Sequence, residues 1–240
     1  LPPTIDEDDP MLDYPPENWI ASMIGKAGLV YRFSDTLAYK SNVTPREVDL
    51  MEAAGADLAM RPLTRVVWKG SRASTGTKAV MMELGRQFRC HEVPPADRRA
   101  VVIDMFLLIE KLHIGSGAGR GRGIVHGDVK ESNFVWGRDG RLRFVDFSSA
   151  RFVDESPDQW NSTYSTETYF TPHRMHVPAP TVFDDYYALA ITLWSMYTGK
   201  APKARQFNQR NIRRSDLLEV DDEMVRAWIR KVFKMAGCRF

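Results

Sequence analysis

Three residues able to work on a phosphate group fall close together in "HGDVKESN", residues 126–133: Asp128, Lys130 and Asn133. A second stretch, "FVDFSSA" at 144–150, holds Asp146 between apolar neighbours. A solvated turn accounts for one such acid but not easily for both, each beside a β-type run. Between them, "FVW" and "RLRFV" flank the tight turn "GRDG", the pattern of a hairpin. A hairpin there brings Asp128, Asn133 and Asp146 around one point. Carboxylate and amide oxygens suit Mg²⁺, which takes few protein ligands and completes its shell with phosphate and water. Asp128 is then free to orient a hydroxyl nucleophile, while Lys130 faces the phosphate in transfer. Phosphoryl transfer asks mainly for that combination of positioning, metal and charge stabilisation.

These residues carry a family resemblance. "H-G-D-V-K-E-S-N" resembles the protein-kinase catalytic loop H-R-D-L-x-x-x-N, and "D-F-S" resembles the metal-binding motif D-F-G. Upstream, "M-I-G-K-A-G-L-V" is similar to the glycine loop G-x-G-x-x-G-x-V at Gly25, Gly28 and Val30, with Met23 in place of the first glycine. "L-A-Y-K" resembles V-A-I-K and sets Ala38 and Lys40 on the third strand. Glu47 is the implied partner of Lys40, with Glu52 on the same helix as the alternative. "MMELG" looks like the hinge beside adenine, with Met82 as gatekeeper and Glu83 and Leu84 offering backbone groups to the base. "S-T-E-T-Y-F-T-P-H" resembles the substrate-loop pattern G-T-x-x-Y-x-A-P-E at Thr166, Tyr169 and Pro172, and Asp185 matches the acid that anchors the catalytic loop. The resemblance runs from about residue 19 to at least 199. Lys130 and Thr166 favour the serine/threonine branch, and the whole is similar to protein-kinase-like proteins common in fungi.

The resemblance implies an α+β, two-lobed fold: an extended lead-in over 1–16, a sheet-bearing lobe over 17–84 and a helical lobe over 85–240. It implies ATP in the cleft, Mg²⁺ on Asn133 and Asp146, catalysis by Asp128 and Lys130, and a protein substrate phosphorylated on Ser or Thr. Three departures stand out. Gly127 replaces the arginine that receives an activation-segment phosphate, so activation by that route is not expected. Ser148 replaces the glycine of D-F-G, at roughly 1 kcal/mol if that position needs φ > 0. His173 removes an acid that pairs with a distant arginine. Two rival readings remain open. One is a pseudokinase acting as a binding module. The other is a small-molecule kinase, because "HGD" also resembles aminoglycoside-phosphotransferase-like enzymes; Lys130 and the Thr166–Pro172 pattern argue against it.

The elements that must position these residues are legible as patterns. "WIASMI", "LVYRF", "TLAYK", "TRVVW" and "KAVMMEL" read as strands, and "REVDLMEAAGADLA", residues 46–59, as a helix with Pro45 near its start. "PADRRAVVIDMFLLIEKLH", "DDYYALAITLWSMYTG" and "DDEMVRAWIRKVFKMAG" read as three further helices, the second closed by Gly199. "GSGAGRGRG" looks like a phosphate loop but follows a helix and precedes a strand, the wrong order, so it reads as an insertion. His126 reads as a packing residue, and the basic run over 200–214 as a solvated face.

Composition narrows the rest. With 33 basic and 31 acidic residues, net +2, nothing argues for a nucleic-acid or membrane-surface protein. Two cysteines make no disulfide framework and suit a reducing compartment, so a cytoplasmic location is expected. No apolar run approaches the ~20 residues of a membrane span. The chain opens on Leu1 and stops where a further helix is expected, as a processed or excised segment would. Oligomeric state is left open.

Overall fold

The computed structural model describes residues 4–6, 21–25, 28–32, 34–67, 77–115, 121–160, 166–177 and 179–240. The "GSRASTG" loop and most of "GSGAGRGRG" lie outside the described residues, as do most of the lead-in and the turn between Gly25 and Gly28.

A six-stranded sheet forms the first lobe, built from β1 (Thr4–Asp6), β2 (Ala21–Gly25), β3 (Gly28–Arg32), β4 (Leu37–Ser41), β5 (Pro62–Val67) and β6 (Thr77–Glu83). Its order is β1-β5-β6-β4-β3-β2. The five expected strands are β2 to β6. The lead-in contributes β1, paired parallel to β5, a contact no pattern within 1–16 announces. Helix α1 (Pro45–Ala54) starts because the Thr44 side chain accepts the Glu47 amide at 3.1 Å and Pro45 has no amide to satisfy. It stops at Gly55, whose φ of 80° an L-residue rarely adopts, so the expected extension to residue 59 does not form.

The second lobe is mainly helical. Helix α2 (Arg98–Ile114) and helix α3 (Val182–Thr198) run through the core. Thr181 and Asp184 close a reciprocal capping box at the start of α3, and Gly199 ends it in the left-handed conformation. From Tyr187 to Tyr197 every residue of α3 is buried, which explains its largely apolar composition; the hydroxyls of Thr192 and Ser195 donate to backbone carbonyls. The final helix, numbered α6 here (Glu223–Met235), packs on α3 and is capped by Asp222, which accepts the amides of Met224 and Val225. Between them lie two short helices the sequence pattern does not show, α4 (Ala204–Phe207) and α5 (Arg214–Leu218). Phe207 of α4 and Leu217 of α5 are buried, and so is Ile212 between them.

Two small ladders position the opening motifs. Strand β8 (Ile124–Val125) pairs with β11 (Arg151–Phe152), so the segments bearing Asp128 and Asp146 leave and re-enter one point. Between them β9 (Phe134–Trp136) and β10 (Leu142–Phe144) make the expected hairpin, which β7 (Arg86–Gln87) extends on the β9 side. The hairpin is tied to the first lobe by Phe144 N–H to Leu58 O, 2.8 Å, and Met60 N–H to Phe144 O, 3.0 Å.

Candidate active site

The catalytic-loop stretch is held from beneath by Asp185. Its two carboxylate oxygens accept the backbone amides of His126 and Gly127, each at 2.8 Å, and Oδ2 also meets His113 Nε2 at 2.9 Å. These bonds keep the buried Asp185 well below the usual carboxylate range, although burial alone would raise it. His126 is fully buried between Phe144 and Phe147. Its Nε2 donates to Val145 O at 3.1 Å and its Nδ1 accepts the Asp128 amide at 3.3 Å, the pattern of a neutral ring. Burial pushes its pKa down accordingly. It packs, as expected.

The next residue explains a departure from the motif. Gly127 has φ +77°, and a Cβ there would sit 2.5 Å from Ser149 O and 2.8 Å from Pro180 Cγ. An arginine does not fit this backbone. A guanidinium returns from elsewhere: Arg174, buried, donates Nη1 to Gly127 O at 2.6 Å and lies 4.2 Å over the Phe170 ring. Its Nε and Nη2 have no hydrogen-bond partner among the described residues.

Asp128 is almost fully saturated. Oδ1 accepts the Thr166 amide at 3.0 Å, while Oδ2 accepts Lys130 Nζ at 2.6 Å and Asn133 Nδ2 at 3.1 Å. Lys130 also donates to Thr166 Oγ1 at 2.7 Å. Asn133 donates a further bond to Asp128 O at 2.7 Å, and no described hydrogen bond claims its Oδ1.

Opposite, Lys40 bridges two carboxylates, Glu47 Oε1 at 2.5 Å and Asp146 Oδ1 at 2.8 Å. The choice between Glu47 and Glu52 falls on Glu47. Burial opposes the Lys40 ammonium, but Asp146 and then Glu47 outweigh it and raise its pKa. The two acids divide unequally. Burial of Asp146 is outweighed by Lys40 and by the Ser148 hydroxyl, which hold it well below the ordinary range. At Glu47, burial together with the charge of Asp146 outweighs Lys40 and raises it. Asp146, not Ser148, carries the positive φ, 62°, so the expected strain at Ser148 is absent. Ser148 instead starts no left-handed turn and donates its Oγ to Asp146 Oδ1 at 2.8 Å.

The cleft walls follow the strand registers. Val30 lies opposite Lys40, and Gly25 opposite Gly28 across the β2–β3 turn. Ala38 pairs with Met82 and Leu37 with Glu83, with Ala38 and Met82 buried. At the hinge the structure narrows the expectation. Glu83 N–H donates to Arg61 O at 3.2 Å and Leu84 N–H to Thr36 O at 2.8 Å. Both amides are therefore taken, and these residues have only carbonyls to offer a base.

Sequence reasoning missed Arg174, the stabilising role of Ser148, and His113. None sits in a spacing that marks it; Arg174 and His113 act through partners 47 and 72 residues away, and Ser148 through the backbone turn that brings it to Asp146.

Comparison with known proteins identifies the family. The protein kinase domain model matches residues 90–232, more than half of the chain. The chain belongs to the protein kinase family. It is 32% identical over 81 residues to a probable serine/threonine-protein kinase PknB of Lactococcus lactis subsp. lactis, covering 33% of this chain and 13% of that protein. It is 26% identical over 102 residues to the serine/threonine-protein kinase PknD of Protochlamydia amoebophila, covering 35% and 10%. The chain thus aligns with only a small part of these relatives. Among solved structures, the kinase PK-1 of the Cydia pomonella granulovirus superposes with a TM-score of 0.61 at 17% identity, over 90% of this chain and 86% of that one. The two-lobed kinase fold is shared. Among the described residues, no helix is long and apolar enough to cross a membrane.

Proposed function

We propose that the chain transfers the terminal phosphate of ATP to Ser and Thr hydroxyls of protein substrates, with Mg²⁺ bound at Asp146 and Asn133. The observation that carries this reading is the closed chain of contacts from Glu47 through Lys40 to Asp146, beside an Asp128 already oriented by Lys130, Asn133 and Thr166. Nothing in that set awaits assembly.

The donor chemistry fits the metal. Asp146 Oδ2 and Asn133 Oδ1 are hard oxygen donors that no described hydrogen bond occupies. Among the described residues no group of three or more His, Cys, Asp or Glu could hold an ion alone. Mg²⁺ does not require one, since phosphate and water complete its shell. When bound it neutralises charge on the phosphate oxygens.

The protein's own part follows from the contacts. Lys40, held upright by two acids, presents an ammonium toward the phosphates. Asp128 accepts a hydrogen bond from the substrate hydroxyl and aligns its oxygen; Lys130 places positive charge where the phosphate is passed. The Lys130–Thr166 bond, 2.7 Å, ties the substrate-binding segment to that lysine and supports the Ser/Thr assignment. The glycine hairpin, Val30, Ala38, Met82 and the carbonyls of Glu83 and Leu84 enclose the nucleotide. The same reading keeps the lobe limits at 17–84 and 85–240, and a cytoplasmic setting.

The test is transfer of labelled phosphate from Mg²⁺–ATP to a mixed protein substrate, beside Asp128→Asn, with the labelled residues identified. Label on Ser and Thr, lost in the variant, is expected. ATP binding without transfer in the wild type would instead establish a pseudokinase.

A further inference from the structure

Away from the cleft, a groove opens between the end of α3 and the short helices α4 and α5. It encloses about 670 Å³ and is lined by Trp194, Lys200, Lys203, Gln206, Arg213 and Asp216, among others. That volume is in the range of ligand clefts. We propose that this groove docks an acidic segment of the protein substrate, at a distance from the hydroxyl that is phosphorylated. The substrate part of this inference rests on the function proposed above.

Charge is the first argument. Residues 200–214 hold six cations, Lys200, Lys203, Arg205, Arg210, Arg213 and Arg214, and no acid. The whole chain has 33 basic and 31 acidic residues, so the remainder is net negative and the positive charge is concentrated here. Local acids cancel it only in part. Lys200 pairs with Glu219, at 2.7 Å to Oε1. Asp216, the acid in the lining, is occupied by the Arg213 amide at 2.8 Å and by Gln206 Nε2 at 3.3 Å. Lys203, Arg213 and Arg214 are exposed and have no ion-pair partner among the described residues. With Lys200 paired and Asp216 offsetting one charge, Lys203 and Arg213 leave the lining net positive, and such a surface attracts a ligand of the opposite sign.

Position is the second argument. Helix α4 packs on the turn Glu167–Tyr169, and Asn208 Nδ2 reaches Glu167 O at 3.4 Å. The residue before that turn is Thr166, which contacts Asp128 and Lys130. Helix α4, which carries the groove residue Gln206, is thereby joined to the segment that bears Thr166. A nucleic acid is the poorer match. Trp194 is 3% exposed and its Nε1 donates to Asp216 O, so the groove has no open ring on which a base could stack.

Binding of a fluorescent Glu/Asp-rich peptide to the purified chain, read by anisotropy without ATP, tests the inference. A Lys-rich peptide and a single-stranded oligonucleotide serve as comparisons. The acidic peptide should bind, weaken as salt rises, and bind about tenfold more weakly to Lys203→Glu/Arg213→Glu. Both positions are exposed, and Lys203→Gln/Arg213→Gln should give a smaller loss in the same direction. Equal affinity in wild type and charge-reversed protein overturns the proposal, as does tighter binding of the oligonucleotide. Because this readout needs no phosphate transfer, it separates from the test of activity. Peptide binding without any transfer would leave the groove standing and remove the substrate assignment.

Discussion

Replacing Lys40 by Met tests the site through stability as well as activity. Were Lys40 an ordinary edge-strand lysine, its loss would cost the fold almost nothing. The structure reverses that expectation: its side chain is 5% exposed, against 1% for Glu47 and 23% for Asp146. The variant leaves two carboxylates facing each other with no cation. Removing one partner of a buried pair costs about 3–5 kcal/mol. The lower end applies, because Asp146 retains access to water. For a domain of this size, ~3 kcal/mol corresponds to a fall in Tm of roughly 6–12 °C. The sign of the pH dependence follows from the acids. In the wild type Asp146 is depressed, so its contribution is present above its unfolded pKa and lost as pH falls through the folded one. Without Lys40 the main opposition to burial at Asp146 is gone, leaving Ser148 and Lys130, and Glu47, already raised, rises further. The variant should then regain stability relative to wild type as pH falls from ~7 to ~5, where the unpaired acids take up protons. Urea unfolding of both proteins across that range is the assay. A difference below ~1 kcal/mol that does not change with pH would refute the buried-triad account.

Other substitutions report on other parts of the site. Gly127→Arg, which restores the family motif, should destabilise the fold by about 2–4 kcal/mol, because φ +77° and a Cβ 2.5 Å from Ser149 O add strain to crowding; urea unfolding reads it. Ser148→Gly, likewise closer to the motif, should lose about 1–2 kcal/mol, since it removes the bond to Asp146 and no positive φ rewards glycine there. Arg174→Ala should lower kcat with little change in the KM for ATP, because Arg174 holds the Gly127 carbonyl rather than the nucleotide, and Arg174→Lys should recover part of it. Asp146→Asn should abolish most of the Mg²⁺-dependent thermal stabilisation by ATP; an equal shift in mutant and wild type would remove Asp146 from the metal site.

The sequence by itself determined what depends on local chemistry and short spacing. Asp128, Asn133 and Asp146 were legible because a tight turn between two short β runs forces a hairpin, and a hairpin returns its ends to one place. Lys40 and Glu47 were legible only through the family resemblance, with Glu52 left open as a partner until the structure placed Glu47 against Lys40. The helix closed by Gly199 announced itself by its local pattern, while its cap at Thr181 came only from the structure. Only the tertiary structure decided what rests on partners distant along the chain. Arg174 reaches Gly127 across 47 residues and His113 reaches Asp185 across 72, and no periodicity spans such gaps. The burial of Lys40 depends on packing from α1 and from the segment after β10. The backbone at Gly127 admits no side chain because Ser149 and Pro180 close over it. Short helices α4 and α5 exist because Phe207 and Leu217 find a core to enter, since segments so short do not hold a helix by their own propensity.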